Sequence, residues 1–433
     1  MNKIIPIILS SVLFITSCEK KFLEVDQPGV VTVSATPDYD QLLNADDVNG
    51  YFGWPLIQLS DNFEYLPTRT PNGITARLYT WQDQPYVNED PTLWSMPYKT
   101  VYYANLVINE VMDSRGGSQL EKEKLKAEGL LARAYAHFCI AQLYAKPYDP
   151  ATAASDPGIP YVTSADMYAK TPSRSTVKDS YEKMIKDIRD ALPNLSDLHP
   201  VPYRGSKAAA YASLARIYLH MQDYDNTIEN ADAALALKSD LLDISAANAT
   251  APDLLSNPEN LYLRSNYELT HVLRTKLTAS AAALFSTTDN RERLLASKTS
   301  GLRIRQTNFG ISVPETMLTK AEALVRKPSP DLNSALGIIN SINAKRDRNH
   351  VDLHSTDAAE VLNWVLNERR RELIASPIRW FDSRRLAREG KTPTVIRNLG
   401  TDIYTLTPDS KKYTLQIPQA VINFNPDMPL NER

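Results

Sequence analysis

Cysteine is nearly absent from this chain. Two of its 433 residues are cysteines, Cys18 and Cys139. The part of the chain beyond Cys18 therefore has one thiol and cannot form a disulfide of its own, so packing alone must hold it together. Cys139 lies in an apolar stretch at residues 136–140. It is predicted to be a small buried side chain.

Several functional signatures are also missing. The chain has 14 glycines and contains no phosphate loop and no dinucleotide fingerprint. Its net charge is −3 and it has no long basic run, which argues against nucleic acid as a partner. Beyond residue 17 no apolar run is long enough to span a membrane. His350 and His354 are four residues apart, but Asn349 and Asp352 beside them favour a loop, so neither a metal site nor a cofactor is predicted.

The leader, residues 1–17, is the first positive signal. Lys3 precedes a mostly apolar run at residues 4–15, and Cys18 stands where an ordinary secretory signal has its cleavage site. This layout resembles a bacterial lipoprotein signal, in which the thiol is acylated and the chain is cut before it. An ordinary signal peptide and a buried N-terminal helix are the alternatives. The lipoprotein interpretation makes Cys18 a membrane anchor and places the rest of the chain outside the cytoplasm.

Most of the chain shows helical periodicity. Apolar spacing predicts helices over residues 120–144, 177–192, 207–221, 225–237, 313–325, 331–346, 358–374 and 379–388. The pair around residue 222 has Ala215, Ala231 and Ala234 facing Tyr218 and Tyr224 across a tight turn. This arrangement resembles a tetratricopeptide repeat, with a generic helical hairpin as the alternative.

Two other parts of the chain are irregular. Six prolines interrupt residues 50–97, where no long helix is expected. The span from 240 to 308 is predicted to be an insertion between helix pairs. Strand-like pieces lie at residues 260–264, 301–305, 403–406 and 413–417, and a short helix is predicted at residues 279–285.

These features occur in an order that resembles the SusD/RagB family of outer-membrane nutrient-binding lipoproteins. The similar segments, by residue number, are 22–28 after the cysteine, 94–105, Ala-Glu-Gly-Leu-Leu-Ala-Arg-Ala-Tyr at 127–135, the hairpin after 205–207, Lys-Ala-Glu-Ala at 320–323, Glu-Arg-Arg-Arg-Glu-Leu at 368–373 with Arg-Trp-Phe-Asp at 379–382, and 415–426. The resemblance covers nearly the whole chain, and the common order and spacing of the segments carry it.

The resemblance implies a mainly α-helical fold of stacked, tetratricopeptide-like helix pairs, a SusD-like α-α superhelix with long loops and a few short strands. It divides the chain into a signal peptide (1–17), a tether (18–36) and a single body (37–433). The body is expected to contain a loop-rich part with the first helix pair (37–205), the repeat-like hairpin (206–240), an insertion (241–312) and C-terminal helices with a tail (313–433).

The resemblance also implies a function. Such a protein is anchored by lipid at the outer membrane, faces the exterior, and sits over a SusC-like TonB-dependent transporter. It captures an oligosaccharide or polysaccharide for import and is not an enzyme. Some members bind peptides instead, and an envelope assembly scaffold with no nutrient ligand is a further alternative.

Aromatic residues in the irregular segments are the best candidates for ligand contacts. Sugar rings pack on flat aromatic faces, and their hydroxyls need planar polar groups. The predicted ligand-binding residues are Trp54, Tyr65, Arg69, Arg77, Trp81, Tyr262 and Tyr267. Trp94 and the Trp380-Phe381 pair are assigned to the core.

A glycoside hydrolase is the enzymatic alternative. Glu368, Glu372 and Asp382 are the carboxylates that such an enzyme could use. They alternate with arginines in sequence, so helix-surface ion pairs within a structural network are the preferred interpretation.

Overall fold

Sixteen α-helices account for about half of the part of the chain that the structure describes. The computed structural model describes residues 33–50, 55–66, 70–250, 253–264, 275–295 and 308–433. The helices are α1 (Thr36–Asn44), α2 (Asp46–Asn49), α3 (Leu56–Leu59), α4 (Gly73–Tyr79), α5 (Thr92–Glu110), α6 (Gln119–Tyr144), α7 (Val177–Ala191), α8 (Lys207–Met221), α9 (Tyr224–Leu237), α10 (Ala279–Ala282), α11 (Asn290–Leu294), α12 (Val313–Arg326), α13 (Leu332–Ala344), α14 (Ala358–Glu372), α15 (Ile378–Ala387) and α16 (Gln419–Phe424). The predicted mainly α fold is confirmed.

Three two-stranded antiparallel sheets accompany the helices in the described residues. β1 (Phe63–Tyr65) pairs with β3 (Thr275–Leu277), β2 (Asn260–Tyr262) with β4 (Ile311–Ser312), and β5 (Val395–Leu399) with β6 (Asp402–Leu406). The first two sheets each join segments that are far apart in sequence. They fasten the irregular parts of the chain to one another and to the helices.

The long helix α6 lies at the centre of the core. Ser118 caps its start by accepting a hydrogen bond from the backbone of Glu121, and every residue from Leu131 to Tyr144 is buried. The surrounding core extends along the chain from Leu56 to Met428. Because all faces of the second half of α6 are covered, α5, α7 and α8 can all pack against it.

The α8–α9 hairpin has the geometry expected from its small residues. Ala215, Ala231 and Ala234 are completely buried between the two helices. Gln222 turns the chain with a φ of 64°, and Asp223 caps α9 by accepting a hydrogen bond from the backbone of Asn226. Side chains of this size allow two helical backbones to approach closely.

Some element predictions need correction. α5 begins at Thr92, so Pro97 lies inside a long helix, although no long helix was expected before it. No strand forms at residues 413–417. The predicted tether also extends too far, because the backbone of Thr36 donates to the carbonyl of Arg115 at 3.0 Å and belongs to the folded body. The strand predicted at residues 301–305 lies outside the described residues.

The buried hydrophobic side chains agree with the assignments from sequence. Cys139 and Trp380 are fully buried, and Trp94 is 9% exposed. The edge of Trp94 packs against Tyr144 with ring centroids 4.9 Å apart. Across the described ranges, no helix combines the length and the apolar character needed to cross a membrane.

Candidate ligand-binding site

Two loop-rich parts of the chain meet at the sheet formed by β1 and β3. In this sheet, which we call the β1–β3 ribbon, Tyr65 lies opposite Thr275 and Phe63 lies opposite Leu277. β1 belongs to the proline-rich segment and β3 belongs to the insertion. Arg69 follows β1 by four residues, and Tyr267 precedes β3 by eight. The ribbon therefore joins the two segments that hold the predicted ligand contacts.

The C-terminal helices hold the start of this ribbon. Arg379 donates to both carboxylate oxygens of Asp61 at 2.6 and 2.7 Å, and Arg370 donates to Asn62 Oδ1 at 2.8 Å. The carbonyl of Asn62 accepts from the backbone of Thr278 at 2.9 Å. Burial would raise the pKa of Asp61, but the charge and hydrogen bonds of Arg379 and the charge of Arg370 hold it well below its usual value. The ribbon is thus tied to α14 and α15 by a buried charged cluster.

Tyr65 is a predicted contact residue that stays partly open to solvent. Its ring meets that of Tyr79 edge to face with centroids 4.9 Å apart, and its hydroxyl donates to Gln58 Oε1 at 2.7 Å. Burial raises the pKa of Tyr65 well above its usual value, so the hydroxyl is neutral and acts as a donor. The ring is therefore held in one orientation, with part of its surface accessible to solvent.

Trp81 is corrected to a core residue. Its side chain is 1% exposed, and its indole nitrogen donates to the carbonyl of Leu59 at 3.0 Å. The guanidinium of Arg397 lies 4.3 Å from the centre of its ring. The ring is therefore covered by other side chains. It stabilises the loops around it and is not accessible to a ligand.

Tyr262 is also corrected to the core. It is 1% exposed, with the guanidinium of Arg264 3.7 Å from the centre of its ring and the ring of Tyr135 5.3 Å away. Strand β2 turns this side chain inward against α6. Aromatic residues in irregular segments fill the core as readily as they form a binding surface, and the sequence does not distinguish the two.

Arg77 lies at the surface with its guanidinium already engaged. Nε donates to the carbonyl of Pro85 at 2.6 Å, and Nη2 pairs with Glu89 at 2.8 Å. The predictions for Cys18, Trp54, Arg69 and Tyr267 fall outside the described residues.

Arg397 was missed by the sequence reasoning. It projects from β5 and donates to the carbonyls of Gln58, Ser60 and Tyr79, and it stacks 4.0 Å from the centre of the Tyr79 ring. Burial lowers its pKa to about 10. It fixes the backbone that carries Tyr65 and Trp81. A lone arginine in a short strand carries no sequence signal for this role.

Two buried polar atoms near the ribbon have no hydrogen-bond partner among the described residues. They are Gln58 Nε2, beside Tyr65, and Thr275 Oγ1, on β3. Buried polar atoms in proteins are almost always hydrogen-bonded. Both atoms are therefore unsatisfied polar groups enclosed within the protein near the ribbon.

The carboxylates of the hydrolase alternative have other partners. Glu368 pairs with Arg291 at 2.5 Å, and Glu372 pairs with Arg291 and Arg346, each at 2.8 Å. Burial would raise the pKa of Glu372, but these two arginines lower it to about 2. Glu368 and Asp382 are buried, at 1% and 4% exposed, and Glu372 is partly buried. The expected ion pairs therefore form inside the protein and not on helix surfaces. An acid held ionised and enclosed in this way is unsuited to protonate a glycosidic oxygen.

The described ranges contain no group of three or more acidic, histidine or cysteine side chains that could hold a metal ion. His350 pairs with Asp352 at 2.8 Å in the loop between α13 and α14. This geometry agrees with the predicted loop.

Comparison with known proteins resolves the family. A family model described as starch-binding and associating with the outer membrane matches residues 39–219, and the SusD family model matches residues 296–432. Together they match most of the chain.

The chain belongs to the SusD/RagB family.

Solved structures of this superfamily have the same fold. A SusD superfamily protein from Bacteroides thetaiotaomicron has a TM-score of 0.76 and 21% identity, covering 92% of this chain and 100% of its own. A putative sugar binding protein from Bacteroides vulgatus has a TM-score of 0.70 and 20% identity, covering 93% and 99%. A SusD-like carbohydrate binding protein from the same species has a TM-score of 0.72 and 16% identity, covering 91% and 97%. No curated protein matches the chain.

Membership of the SusD/RagB family agrees with the prediction that the protein is not an enzyme, since the model that matches residues 39–219 is described as starch-binding. It also places the protein in a group associated with the outer membrane.

Proposed function

We propose that this protein is a lipid-anchored outer-membrane lipoprotein that captures an oligosaccharide or polysaccharide. It passes this ligand to a SusC-like TonB-dependent transporter. The glycan binds beside the β1–β3 ribbon, where Tyr65 presents a half-exposed ring and Trp54, Arg69 and Tyr267 are close in sequence.

The pairing of β1 with β3 is the observation that carries this proposal. A binding site needs aromatic faces and polar groups gathered on a supported surface. The ribbon joins the two segments that have this composition. Hydrogen bonds from Arg370, Arg379 and Arg397 to the residues just before β1 hold it in place. Two of the similar structures are described as sugar or carbohydrate binding proteins, which supports a glycan as the ligand.

Retention in native gels that contain a polysaccharide tests the ligand. Amylopectin, levan, arabinoxylan and galactomannan form the panel. We expect one of them to retard the protein, with Tyr65→Ala and Trp54→Ala each weakening the retention about tenfold. Tyr211→Ala, on the half-buried face of α8, is the matched control and should bind as the wild type does.

Binding of the wild type to a pool of peptides and to no polysaccharide would replace the glycan by a peptide. Binding to neither, with no transporter recovered from native membranes, would favour the assembly scaffold.

The anchor and the partner have their own experiment. Cys18→Ser should release the protein from membranes without changing its circular dichroism, since Cys18 precedes the folded body. Purification of the wild type from native membranes should recover a large β-barrel protein. A Cys18→Ser protein that stays in the membrane fraction would contradict the lipid anchor.

A further inference from the structure

A second cleft lies away from the β1–β3 ribbon. It has a volume of about 590 Å³ and is bounded by α5, the loop after Tyr161, and α16 with the chain that follows it. Ligand pockets in proteins commonly have volumes of ~300–1,000 Å³. None of the residues that line it belongs to the ribbon or to its supports.

The floor of this cleft is aromatic. Trp94, Tyr98 and Tyr102 line it from α5, and Tyr161 lines it from the loop. The ring centroids of Trp94 and Tyr98 lie 4.9 Å apart, so these two rings form one packed surface within the floor. Flat ring faces of this kind are what the C–H faces of a sugar pack against.

One wall of the cleft is held in place by buried side chains. Tyr98 donates to the carbonyl of Pro160 at 2.9 Å, and His137 Nε2 accepts from the backbone of Val162 at 3.1 Å. Asn105 donates to the carbonyls of Val162 and Ser164, each at 3.2 Å. A wall fixed before binding has little conformational entropy to lose when a ligand enters.

The rim of the cleft contains polar side chains that have no partner among the described residues, together with exposed apolar side chains. Lys170 and the side-chain amide of Asn425 line the cleft and form no ion pair or side-chain hydrogen bond with any described residue. Phe424 is 94% exposed and Met167 is 74% exposed, and Tyr168, next to Met167 in the chain, is 95% exposed. Large apolar side chains clustered in solvent at the mouth of a cleft mark a binding surface.

Another cleft in the protein, with a volume of about 630 Å³, differs from this one in how its polar groups are paired. Its lining charges are already matched, Lys146 with Asp156, Arg388 with Asp149, and Lys411 with Glu432. It offers fewer unpaired groups and no comparable aromatic floor.

We propose that the cleft between α5 and α16 is a second carbohydrate subsite. A pyranose ring packs against Phe424 and the aromatic floor, and its hydroxyls bond to Lys170, Asn425 and Asp166. This inference rests on the proposed glycan-binding function. A polymer has many equivalent sugar units, so two subsites on one protein would raise its overall retention by multivalency.

Phe424→Ala and Tyr168→Ala test this subsite. Both side chains are almost fully exposed, so neither change should unfold the protein. Val351→Ala is the matched control, because Val351 is 80% exposed and does not line the cleft. We expect Phe424→Ala to weaken retention by the panel polysaccharide that binds the wild type about fivefold, Tyr168→Ala to weaken it less, and Val351→Ala to leave it unchanged.

Hydrogen exchange measured with the same polysaccharide supplies the second readout. Amides of residues 161–170 and 419–425 should be protected on binding, and this protection should persist in Tyr65→Ala. If the wild type binds but these amides are unprotected and Phe424→Ala behaves as Val351→Ala does, the subsite is refuted and the ribbon site stands.

If the wild type retains no panel polysaccharide, the proposed function and the subsite both fail. The wild type could instead be a dimer that Phe424→Ala converts to a monomer without loss of polysaccharide retention. That result would show that the exposed apolar side chains at the rim join two copies of the protein, and it would also refute the subsite.

Discussion

Buried arginines are the most distinctive feature at the scale of single residues. Arg216, Arg291, Arg346, Arg369 and Arg384 are among the largest fully buried side chains of the protein. Four of them pair with carboxylates, and Arg384 instead donates to backbone carbonyls that include that of Tyr413. A buried charge is tolerated when it is paired, and removing one partner costs far more than the pair itself contributes.

Asp382→Asn tests this account at one position. Asp382 pairs with Arg369 and Arg385, each at 2.8 Å. Neutralising it leaves two buried guanidinium groups without their full counter-charge. We expect the free energy of unfolding to fall by about 3–5 kcal/mol, measured by urea denaturation. Glu182→Gln, which breaks an exposed pair with Lys178, is the control and should have little effect. Equal effects of the two changes would contradict the account.

Burial lowers the pKa values of two histidines, His137 and His220, so the fold is sensitive to acid. Burial, together with the charge of Arg133, lowers the pKa of His137 from its ordinary 6.5 to about 3. Between these two pKa values, His137 is therefore protonated in the unfolded state and neutral in the folded state. The resulting stability is present above pH ~6.5 and is lost as the pH falls from there towards ~3.

Urea denaturation at pH 7 and pH 5 measures this effect. His137 accounts for at most about 2 kcal/mol of the loss in unfolding free energy between these two values. His137→Gln keeps an acceptor for the backbone of Val162 and removes the titration. The loss on acidification should shrink by about that amount in the variant. An unchanged loss would show that other groups dominate.

Close helix packing is the main feature at the scale of elements. α5 and α6 cross at Gly129, where an added Cβ would stand 3.1 Å from Ile108 Cγ1 and 3.3 Å from the carbonyl oxygen of Ala104. In α8 and α9 the buried alanines serve the same purpose. Small residues at these positions set the distance between helices and hence the shape of the whole stack.

Two glycines in helices should therefore respond in opposite ways. Gly129→Leu forces α5 away from α6 and should lower the unfolding free energy by about 1–3 kcal/mol. Gly337→Ala lies in α13, where an added Cβ meets nothing within 4 Å. It should raise the unfolding free energy by about 0.5–1 kcal/mol, because alanine favours the helix. Thermal denaturation by circular dichroism compares them, and a stabilising Gly129→Leu would refute the close approach.

At the scale of the whole molecule, the two ends of the chain build one structure. The ribbon depends on α14 and α15 through Asp61 and Asn62, and Arg397 of β5 supports the same loops. The main hydrophobic cluster contains both Leu56, early in the chain, and Met428, near its end. The C-terminal elements α14, α15 and β5 therefore help to shape the surface around the β1–β3 ribbon, which is formed mainly by earlier parts of the chain.

Arg370→Ala tests this long-range dependence. Arg370 holds Asn62 Oδ1 and pairs with Asp61 at 3.2 Å. Its loss should speed hydrogen exchange of the amides in β1 and β3 and weaken glycan retention several-fold. Arg388→Ala removes an arginine that pairs with Asp149 instead, and it should leave the ribbon unchanged. The dependence is refuted if both variants exchange at the wild-type rate in β1 and β3.

The amino-acid sequence alone predicts the long helices from α6 onward and the family, but not α5. Helix boundaries such as those of α6, α7 and α8 follow from local apolar spacing and from caps a few residues away, so a short window contains the necessary information. The ordered motifs supplied the family in the same way. The burial of Cys139 also followed from its immediate neighbours.

Which aromatic side chains remain accessible depends on the tertiary packing. Tyr65 and Trp81 occur in the same proline-rich segment, yet Tyr65 is partly exposed and Trp81 is 1% exposed. Trp81 is covered because Arg397, which is distant in sequence, packs on its ring. The pairing of β1 with β3 likewise depends on residues that are distant in sequence. Exposure is a property of the assembled packing, and no local pattern around Tyr65 or Trp81 determines it.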